Sequence, residues 1–211
     1  MGVLERRERE RTELREKILD AARELFTTDG YEGVSMRKVA EKIEYSPTAI
    51  YVHFADKEDL FRQLCQEDFG KLADVFQRDA QISDPLERLK RIGRAYAEFG
   101  RQYPNHYKLM FMTPHPVLEL DERECEIKGN PESDAYAFLK QTVQEAIGLG
   151  YVRPELNDAD LISQILWAAI HGTISLQIAK SNEQWVDWRP PEDRVETILE
   201  VTLRGICRKE K

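Results

Sequence analysis

Residues 35–54 decide the fold, and they read SMRKVAEKIEYSPTAIYVHF. Ser35 can cap a short helix, because its hydroxyl can accept a hydrogen bond from a main-chain N–H of the first turn. The apolar residues after it recur at helical spacing and form one inner face: Met36, Val39, Ala40 and Ile43. Ser46 followed by Pro47 is a cap with proline at the first helical position, which predicts a second short helix. The two residues that separate these helices, 44–45, form a connection typical of a helix-turn-helix unit.

The second helix presents a small, uncharged face away from the core. Ile50 and Phe54 are four residues apart and form its inward pair, so the helix is expected to reach about Phe54. At about 100° per residue, the opposite face carries Thr48 and Val52, flanked by Ala49 and Tyr51. Such a face can approach DNA in the major groove, with methyl groups against thymine and hydroxyls toward bases or phosphates.

Lys57 lies in the first turn of the next predicted helix, which Asp56 can cap. A cation at this end of a helix opposes the helix macrodipole, so its position indicates that an anion binds there. Helix-terminal N–H groups together with an ammonium form a clamp for a phosphate.

The rest of the chain also shows helical spacing of apolar residues, and no stretch alternates strictly enough to predict a sheet. The fold class is therefore expected to be all-α. A first helix is expected to end near Thr28, before the stop signal of Asp29 and Gly30. Further helices are expected at about residues 85–100, 104–112, 133–149, 158–180 and 192–208, with an irregular loop at 113–131.

The composition excludes several classes of protein. The 211 residues carry a formal net charge of −8, which argues against a protein that coats nucleic acid or anionic membranes by bulk electrostatics. The three cysteines form no C-x-x-C pair, so neither a disulfide framework nor a zinc knuckle is expected. The N-terminus lacks the apolar segment of a secretory signal, and the longest apolar stretch, 165–176, is too short to span a bilayer. We expect a cytoplasmic protein without a membrane segment.

A motif that runs through the first four helices carries a family resemblance: Arg15-x-x-Ile18-Leu19-x-Ala21-Ala22-x-x-Leu25-Phe26, Gly30-Tyr31, Ser35-Met36-Arg37-x-Val39-Ala40, and Ser46-Pro47-Thr48-Ala49-Ile50-Tyr51-Val52-His53-Phe54-x-x-Lys57-x-x-Leu60. It resembles the N-terminal DNA-binding domain of the TetR/AcrR family of transcriptional regulators. The resemblance implies three sets of contacts with a double-stranded DNA operator. They are Tyr51, His53 and Lys57 at phosphates, Pro47, Thr48 and Ala49 near bases, and Ser35, Met36 and Arg37 at the DNA backbone.

Two positions depart from the commonest pattern of that family. Glu44 stands where the turn often has glycine, so the turn must accept a side chain, with strain if φ is positive. Thr48 replaces another frequent glycine and adds a side chain to the DNA face. The second change affects which bases are preferred rather than how the helix docks.

The resemblance further implies a C-terminal part that binds a small molecule and forms a homodimer through its last two helices. We therefore expect a DNA-binding domain at residues 1–60 and a ligand-binding and dimerisation domain at residues 61–211. The implied function is that of a repressor, which binds a palindromic operator as a dimer and is released by a lipophilic or aromatic effector. The segment Trp167-Ala168-Ala169-Ile170-His171-Gly172 also resembles the Trp-His-Gly signature of one C-terminal subgroup.

Aromatic side chains and a few polar groups of the second region are candidates for the effector pocket: Tyr103, His106, Tyr107, Met110, Phe111, Phe138, Trp167 and His171. Each aromatic side chain can equally belong to the core, and a histidine on an apolar helix, such as His171, is more often structural than a ligand contact. His106, His115 and Cys125 match no metal-ligand spacing, so neither a metal nor a cofactor is predicted.

Two other classes of function can be compared with this one. An enzyme is disfavoured because the chain has no G-x-S-x-G, no phosphate-binding glycine loop and no H-E-x-x-H. The alternative is a helical small-molecule carrier or scaffold without DNA-binding activity, which need not keep the phosphate-reaching groups Arg37, Lys38, Tyr51, His53 and Lys57. The Arg/Glu run of residues 6–16 is expected to be a solvated helix extension, with an arm that reaches DNA as the second interpretation.

Overall fold

The computed structural model describes residues 2–208, without the side chain of Val3, and this range forms ten α-helices. In chain order they are α1 (Val3–Asp29), α2 (Met36–Lys42), α3 (Pro47–Tyr51), α4 (Lys57–Gln77), α5 (Pro85–Gln102), α6 (Pro104–Met112), α7 (Glu122–Ile127), α8 (Ala135–Gly148), α9 (Ala159–Lys180) and α10 (Pro191–Ile206). Within residues 2–208 the β pairing is limited to an isolated bridge between Val152 and Cys207. The all-α fold class is confirmed. Residues 1 and 209–211, the ends of the two predicted domains, lie outside the described residues.

The chain folds into two compact units. The first comprises Met1–Asp68 and Asn105–Glu119, and the second comprises Phe69–Pro104 and Leu120–Lys211. These units differ from a division at residue 60 for two reasons. The first part of α4, to Asp68, belongs to the first unit, and α6 joins that unit because Leu109 is fully buried in its core.

Three buried aromatic side chains tie the first unit together. The ring of Phe26 in α1 stacks on Tyr31 at 5.7 Å between centroids and meets Phe61 of α4 edge-on at 5.0 Å. Aromatic pairs in these arrangements add to the stabilisation that burial provides. The same core holds Val39 of α2 and Ile50 of α3, both fully buried, so α1 and α4 support the two short helices.

The N-terminal turns of α1 are exposed and carry ion pairs between residues four apart. Arg6 Nε lies 2.8 Å from Glu10 Oε1, and Arg9 Nε lies 3.6 Å from Glu13 Oε1. Such pairs contribute a few tenths of a kcal/mol each, about 0.3–0.5. The predicted solvated helix extension is confirmed.

In the second unit, α5, α8, α9 and α10 pack against one another. α5 and α10 approach closely at Gly93, where a Cβ atom would overlap the side chain of Leu199. The next residue, Arg94, donates two hydrogen bonds to Glu196, at 2.7 and 2.8 Å. The small residue and the two-pronged ion pair together fix how these two helices align.

Two expectations about local structure were wrong. The stretch 113–131 is not wholly irregular, because α7 forms within it. Asp121 accepts the Glu124 N–H at 2.7 Å and Glu124 accepts the Asp121 N–H at 3.0 Å, so the acidic cluster contains a capping box. α3 ends at Tyr51 rather than near Phe54, although Phe54 keeps its inward position and is 1% exposed.

Candidate functional site

α3 is a short helix whose start and inner face agree with the sequence pattern. Ser46 Oγ accepts the Ala49 N–H at 3.3 Å, and Pro47 occupies the first turn. Ile50 is fully buried and packs in the core with Phe54. The helix is therefore held by one face, and its other face is free for recognition.

The outward face of α3 carries the side chains that helical geometry assigns to it. Val52 is 64% exposed and Tyr51 is 55% exposed. Pro47 and Thr48 are also exposed, while Ala49 and His53 are half-buried. The face is thus small and uncharged, and it can approach base edges in the major groove closely.

At the start of α2, three neighbouring residues have different environments. Ser35 Oγ accepts the Lys38 N–H at 3.2 Å and caps the helix. The Arg37 side chain is exposed. Met36 is only 6% exposed and its side chain lies in the core, so a contact between that side chain and DNA is excluded. Only the main chain of Met36 can take the expected role at the DNA backbone.

Each basic side chain of α2 lies beside a carboxylate. Arg37 Nε is 2.8 Å from Glu41 Oε1. Lys38 Nζ is 2.7 Å from Asp29 Oδ2, and Lys42 Nζ is 2.8 Å from Glu24 Oε1. The positive charge of these three side chains is therefore locally compensated. An approaching phosphate has to compete with a carboxylate for each of these cations.

Tyr31 holds the side chain of Lys57 in place. Lys57 Nζ donates a hydrogen bond to the Tyr31 carbonyl at 3.1 Å and lies 4.2 Å from the centroid of the Tyr31 ring. The expected phosphate clamp is only partly present, because Asp56 Oδ1 already accepts the Asp59 N–H of α4 at 2.8 Å. The ammonium also lies 3.7 Å from Glu32 Oε2, so a phosphate that binds Lys57 has to compete with this carboxylate.

His53 has two arginine neighbours that the sequence argument did not assign to the site. Burial lowers the pKa of His53, and the guanidinium groups of Arg11 and Arg15 lower it further. Arg15 is held by a 2.9 Å hydrogen bond to Gln63, whereas Arg11 is exposed. The inner stripe of α1 includes residues 22, 18 and 15, and continuing it by four residues would have found Arg11.

The turn between α2 and α3 contains the backbone conformation expected from the family pattern. Glu44 has φ +61°, and among the non-glycine residues in 2–208 it alone has a positive φ. The Tyr45 N–H donates to the Ala40 carbonyl at 3.0 Å and closes the end of α2. Glu44 therefore occupies a position that favours glycine, at a cost in backbone strain.

The candidate effector residues fall into both units, four in each. In the first unit, Tyr107 is fully buried and Met110 is 8% exposed, and the ring of Tyr107 meets Phe111 at 5.0 Å. His106 Nδ1 lies 2.7 Å from Asp68 Oδ1. Tyr107 and Met110 thus belong to the packed core of their unit.

Asp68 links three helices of the first unit. Both of its oxygens accept from Arg23, at 3.0 and 2.9 Å, and one also contacts His106. Burial acts to raise the pKa of Asp68, but the hydrogen bonds from His106 and Arg23 outweigh it and hold the pKa below its ordinary value. α1, α4 and α6 therefore meet at one charged carboxylate.

In the second unit, Trp167 and His171 come together through Tyr96, which the sequence argument missed. Trp167 Nε1 donates to the Tyr96 hydroxyl at 3.1 Å, and the same hydroxyl lies 3.0 Å from His171 Nδ1. Phe138 is 5% exposed, and Tyr103 is 42% exposed with its ring 5.4 Å from Phe99. A tyrosine inside an amphipathic helix gives no sequence signal that separates a site from a core.

An open depression of about 550 Å³ lies between α8 and α9, and its lining contains none of the eight candidate effector residues. Its lining includes Lys140 and Asp160, whose charged groups are 2.7 Å apart. Across residues 2–208, no group of three or more His, Cys, Asp or Glu side chains is arranged to hold a metal ion.

α9 is longer than the apolar stretch taken from the sequence. Its 22 residues are long and apolar enough to cross a membrane by length and composition, and it is the one helix of residues 2–208 that meets this test. Leu161, Ile165 and Leu176 are each between 45% and 49% exposed. The helix therefore presents apolar surface that its own unit does not cover.

Comparisons with known proteins agree with this arrangement. Residues 18–64 match the family described as bacterial regulatory proteins, tetR family, and residues 89–202 match the tetracyclin repressor-like C-terminal domain. The transcriptional repressor AcnR of Corynebacterium diphtheriae is 44% identical over 68 residues, which cover 32% of this chain and 36% of that protein. That match spans only about a third of its relative.

Two further similarities extend beyond the N-terminal region. The transcriptional regulator UidR of Escherichia coli K12 is 32% identical over 163 residues, 76% of this chain and 80% of that protein. A TetR-family regulator of known structure from Marinobacter aquaeolei VT8 has the same fold, with a TM-score of 0.75, 16% identity and coverage of 97% of this chain and 100% of that one. The chain belongs to the tetR family of bacterial regulatory proteins.

Proposed function

We propose that the protein is a dimeric repressor, which binds a palindromic operator and leaves it when a small lipophilic or aromatic molecule binds. The observation that carries this proposal is the outward face of α3, which is small, uncharged and exposed while Ile50 fixes the helix from behind. Repression, rather than activation, is supported by the likeness of the N-terminal region to the AcnR repressor.

The proposed DNA contacts follow the positions of the side chains. Pro47, Thr48 and Ala49 approach bases in the major groove, and Tyr51, His53 and Lys57 contact phosphates. At the start of α2, Ser35 and Arg37 contact the backbone through their side chains and Met36 through its main chain. Arg11, exposed and near enough to His53 to lower its pKa, adds a third cation to Arg37 and Lys57.

We propose that α9 and α10 form the dimer interface. The outward face of α9 is a stripe at helical spacing that consists of the exposed residues Leu161, Ile165, Ala168 and Leu176 and the half-buried Gly172. Gly172 lies in the middle of this stripe, and a Cβ there would contact nothing within 4 Å. The protomer itself therefore does not need a glycine at that position, whereas a partner helix that packs closely on α9 does. A second copy of the chain accounts for the exposed apolar surface better than a membrane, because Ile162, Ile170 and Ile174 on the opposite side are buried within the protomer.

We propose that the effector acts on the spacing of the two recognition helices. A helix-turn-helix dimer needs its recognition helices roughly 34–36 Å apart to enter successive major grooves. A ligand that binds better to a conformation with another spacing shifts the population away from the DNA-binding form. The candidate residues for this site are those of the second unit, Tyr103, Phe138, Trp167 and His171, with Tyr96 added. The proposed regulator acts in the cytoplasm.

Selection of random double-stranded DNA by the purified protein tests the proposal. An inverted repeat with half-sites about one helical turn apart, 10–10.5 base pairs, is the expected product. Recovery of unrelated sequences, or no enrichment over several rounds, would contradict it and favour a carrier or scaffold without DNA-binding activity. Tyr51→Ala removes an exposed side chain that we propose to contact phosphate and leaves the buried face of α3 intact, so this variant should bind the selected operator more weakly.

A further inference from the structure

In the second unit, the side chains of Trp167, Tyr96 and His171 are joined by two hydrogen bonds that meet at the Tyr96 hydroxyl. The indole of Trp167 can only donate, so the Tyr96 hydroxyl accepts that bond at 3.1 Å. The Tyr96 hydroxyl then donates its own proton in a hydrogen bond to Nδ1 of His171, 3.0 Å away. Burial lowers the pKa of His171, which keeps the imidazole neutral and able to accept this proton. The Tyr96 hydroxyl thus accepts one hydrogen bond and donates its proton to another.

Tyr136 of α8 stands beside this chain but takes no part in it. Its ring lies 6.1 Å from the ring of Trp167, tilted by 55°. The Tyr136 hydroxyl oxygen is buried and has no hydrogen-bond partner among residues 2–208. A buried hydroxyl without a partner lowers stability, and such groups in native proteins call for a specific explanation.

Room for a ligand lies next to Tyr136 along the same helix. Lys140 follows one turn later on the same face of α8 and, with Asp160, lines the open depression of about 550 Å³ between α8 and α9. Trp167 is 38% exposed, so the aromatic cluster is accessible from outside its unit. Trp167 and Tyr136 do not line the depression themselves, and Lys140, whose charge the Tyr136 hydroxyl influences, connects it to the aromatic cluster. A flat molecule that packs against the two rings would lie beside the depression.

The charges around the cluster are already paired. Lys140 Nζ lies 2.7 Å from Asp160, and the carboxylate of Asp158 also acts on its charge. With His171 neutral, a bound anion would find this cation already neutralised by carboxylates, and its desolvation would be poorly compensated. These surroundings favour a neutral ligand.

We propose that Tyr136 anchors a neutral aromatic effector that carries one carbonyl or hydroxyl oxygen. The Tyr136 hydroxyl donates to that oxygen, and the ring of the ligand packs against Trp167. This inference rests on the proposed function, since it names the class of molecule that the regulator senses.

Three probes with one ring system separate the contributions of the ring, the oxygen and the charge: 2-acetylnaphthalene, naphthalene and 2-naphthoate. Calorimetric titration of the full chain at pH 7, without DNA, measures their affinities. We expect 2-acetylnaphthalene to bind about tenfold more tightly than naphthalene, the effect of one buried hydrogen bond. We expect 2-naphthoate to bind more weakly than the ketone. Tyr136→Phe should reduce the affinity for 2-acetylnaphthalene to that for naphthalene.

Tyr151→Phe is the matched control, because Tyr151 is 40% exposed and should leave all three affinities unchanged. Tyr136→Phe should also leave the thermal midpoint unchanged or raise it. If this variant does not fold, or loses thermal stability without a change in affinity, the hydroxyl has a structural partner and the proposal fails.

Absence of binding by all three probes, or tightest binding by 2-naphthoate, would also overturn the proposal. Because no operator is present, these outcomes are independent of the DNA selection. A failure of this inference can therefore be distinguished from a failure of the proposed function.

Discussion

His106 Nδ1 lies 2.7 Å from Oδ1 of Asp68, a carboxylate with no exposed surface. The same carboxylate accepts two hydrogen bonds from Arg23, which is itself 4% exposed. Removing the charge of Asp68 leaves a buried guanidinium without its main counterion. We expect Asp68→Asn to lower the free energy of unfolding by about 3 kcal/mol in urea denaturation, within the range for breaking a buried pair. Asp74→Asn, at an exposed position of the same helix, should change it by less than about 0.5 kcal/mol.

The same carboxylate makes stability depend on pH. The pKa of Asp68 lies below its ordinary value in the folded chain, so the unfolded chain binds its proton more readily. The contribution to stability is complete above the pKa of the unfolded state, about 3.9, and is lost as the pH falls through the lower folded value. Asp68→Asn should therefore flatten the decline of stability below that pH. An unchanged acid profile would contradict this account.

Glu44 is expected to be replaceable by glycine with a gain in stability. Its φ of +61° costs a non-glycine residue roughly 1 kcal/mol, and glycine adopts it without that cost. Glu44→Gly should raise the free energy of unfolding by up to about 1 kcal/mol. Glu41→Gly, inside α2, should lower it by about 1 kcal/mol, because there glycine only adds backbone entropy to the unfolded state. Destabilisation by both changes would show that Glu44 is not strained.

Lys57 is expected to act on phosphates without regard to sequence. Lys57→Ala should weaken binding to the selected operator and to random duplex DNA about equally, and lower the slope of log K against log salt by about one. Fluorescence anisotropy over a range of salt concentrations measures both. Lys71→Ala, at an exposed position later in α4, should leave the slope unchanged. A loss confined to the operator would contradict a phosphate contact.

Thr48 is expected to act on the choice of base. Thr48→Gly removes a methyl and a hydroxyl from the outward face of α3 and leaves the buried face intact. A second DNA selection with this variant should relax the preference at one position of each half-site, by about 1–3 kcal/mol of discrimination. An equal weakening on all sequences would assign Thr48 to docking instead.

Gly172 is expected to control the oligomeric state. The protomer has room for a side chain there, so Gly172→Leu should fold but fail to pair, and sedimentation velocity should report a monomer. Gly70→Leu in α4, where a Cβ also meets nothing within 4 Å, is the control that should stay dimeric. A dimeric Gly172→Leu protein would remove α9 from the interface.

Much of the fold follows from local signals, and the elements that do not follow depend on distant contacts. Caps at Ser35, Ser46 and Asp84 start helices where the sequence predicts them, because each cap needs only its own first turn. By contrast, α6 joins the N-terminal core through Leu109, more than forty residues after Leu64 in the same core, and no periodicity reports such a contact.

The candidate site was predicted to a similar extent. The exposed face of α3 follows from the inward positions of Ile50 and Phe54, which helical geometry alone supplies. The sequence does not show which part of Met36 would face DNA, because one residue can present its main chain to DNA while its side chain lies in the core. Tyr136 carries no distinguishing pattern at all, since a missing hydrogen-bond partner becomes visible only in three dimensions.

The carboxylates beside Arg37, Lys38 and Lys42 affect how long the regulator stays bound to DNA outside its operator. Random DNA offers phosphates but few well-placed base contacts, so it gains little by displacing Glu41, Asp29 and Glu24 from their cations. We therefore expect short residence on non-operator DNA, with most of the search made by diffusion through solution and little by sliding along the duplex. A regulator of this kind keeps most of its copies free to meet the effector, and its response time is then limited by dissociation from the operator alone.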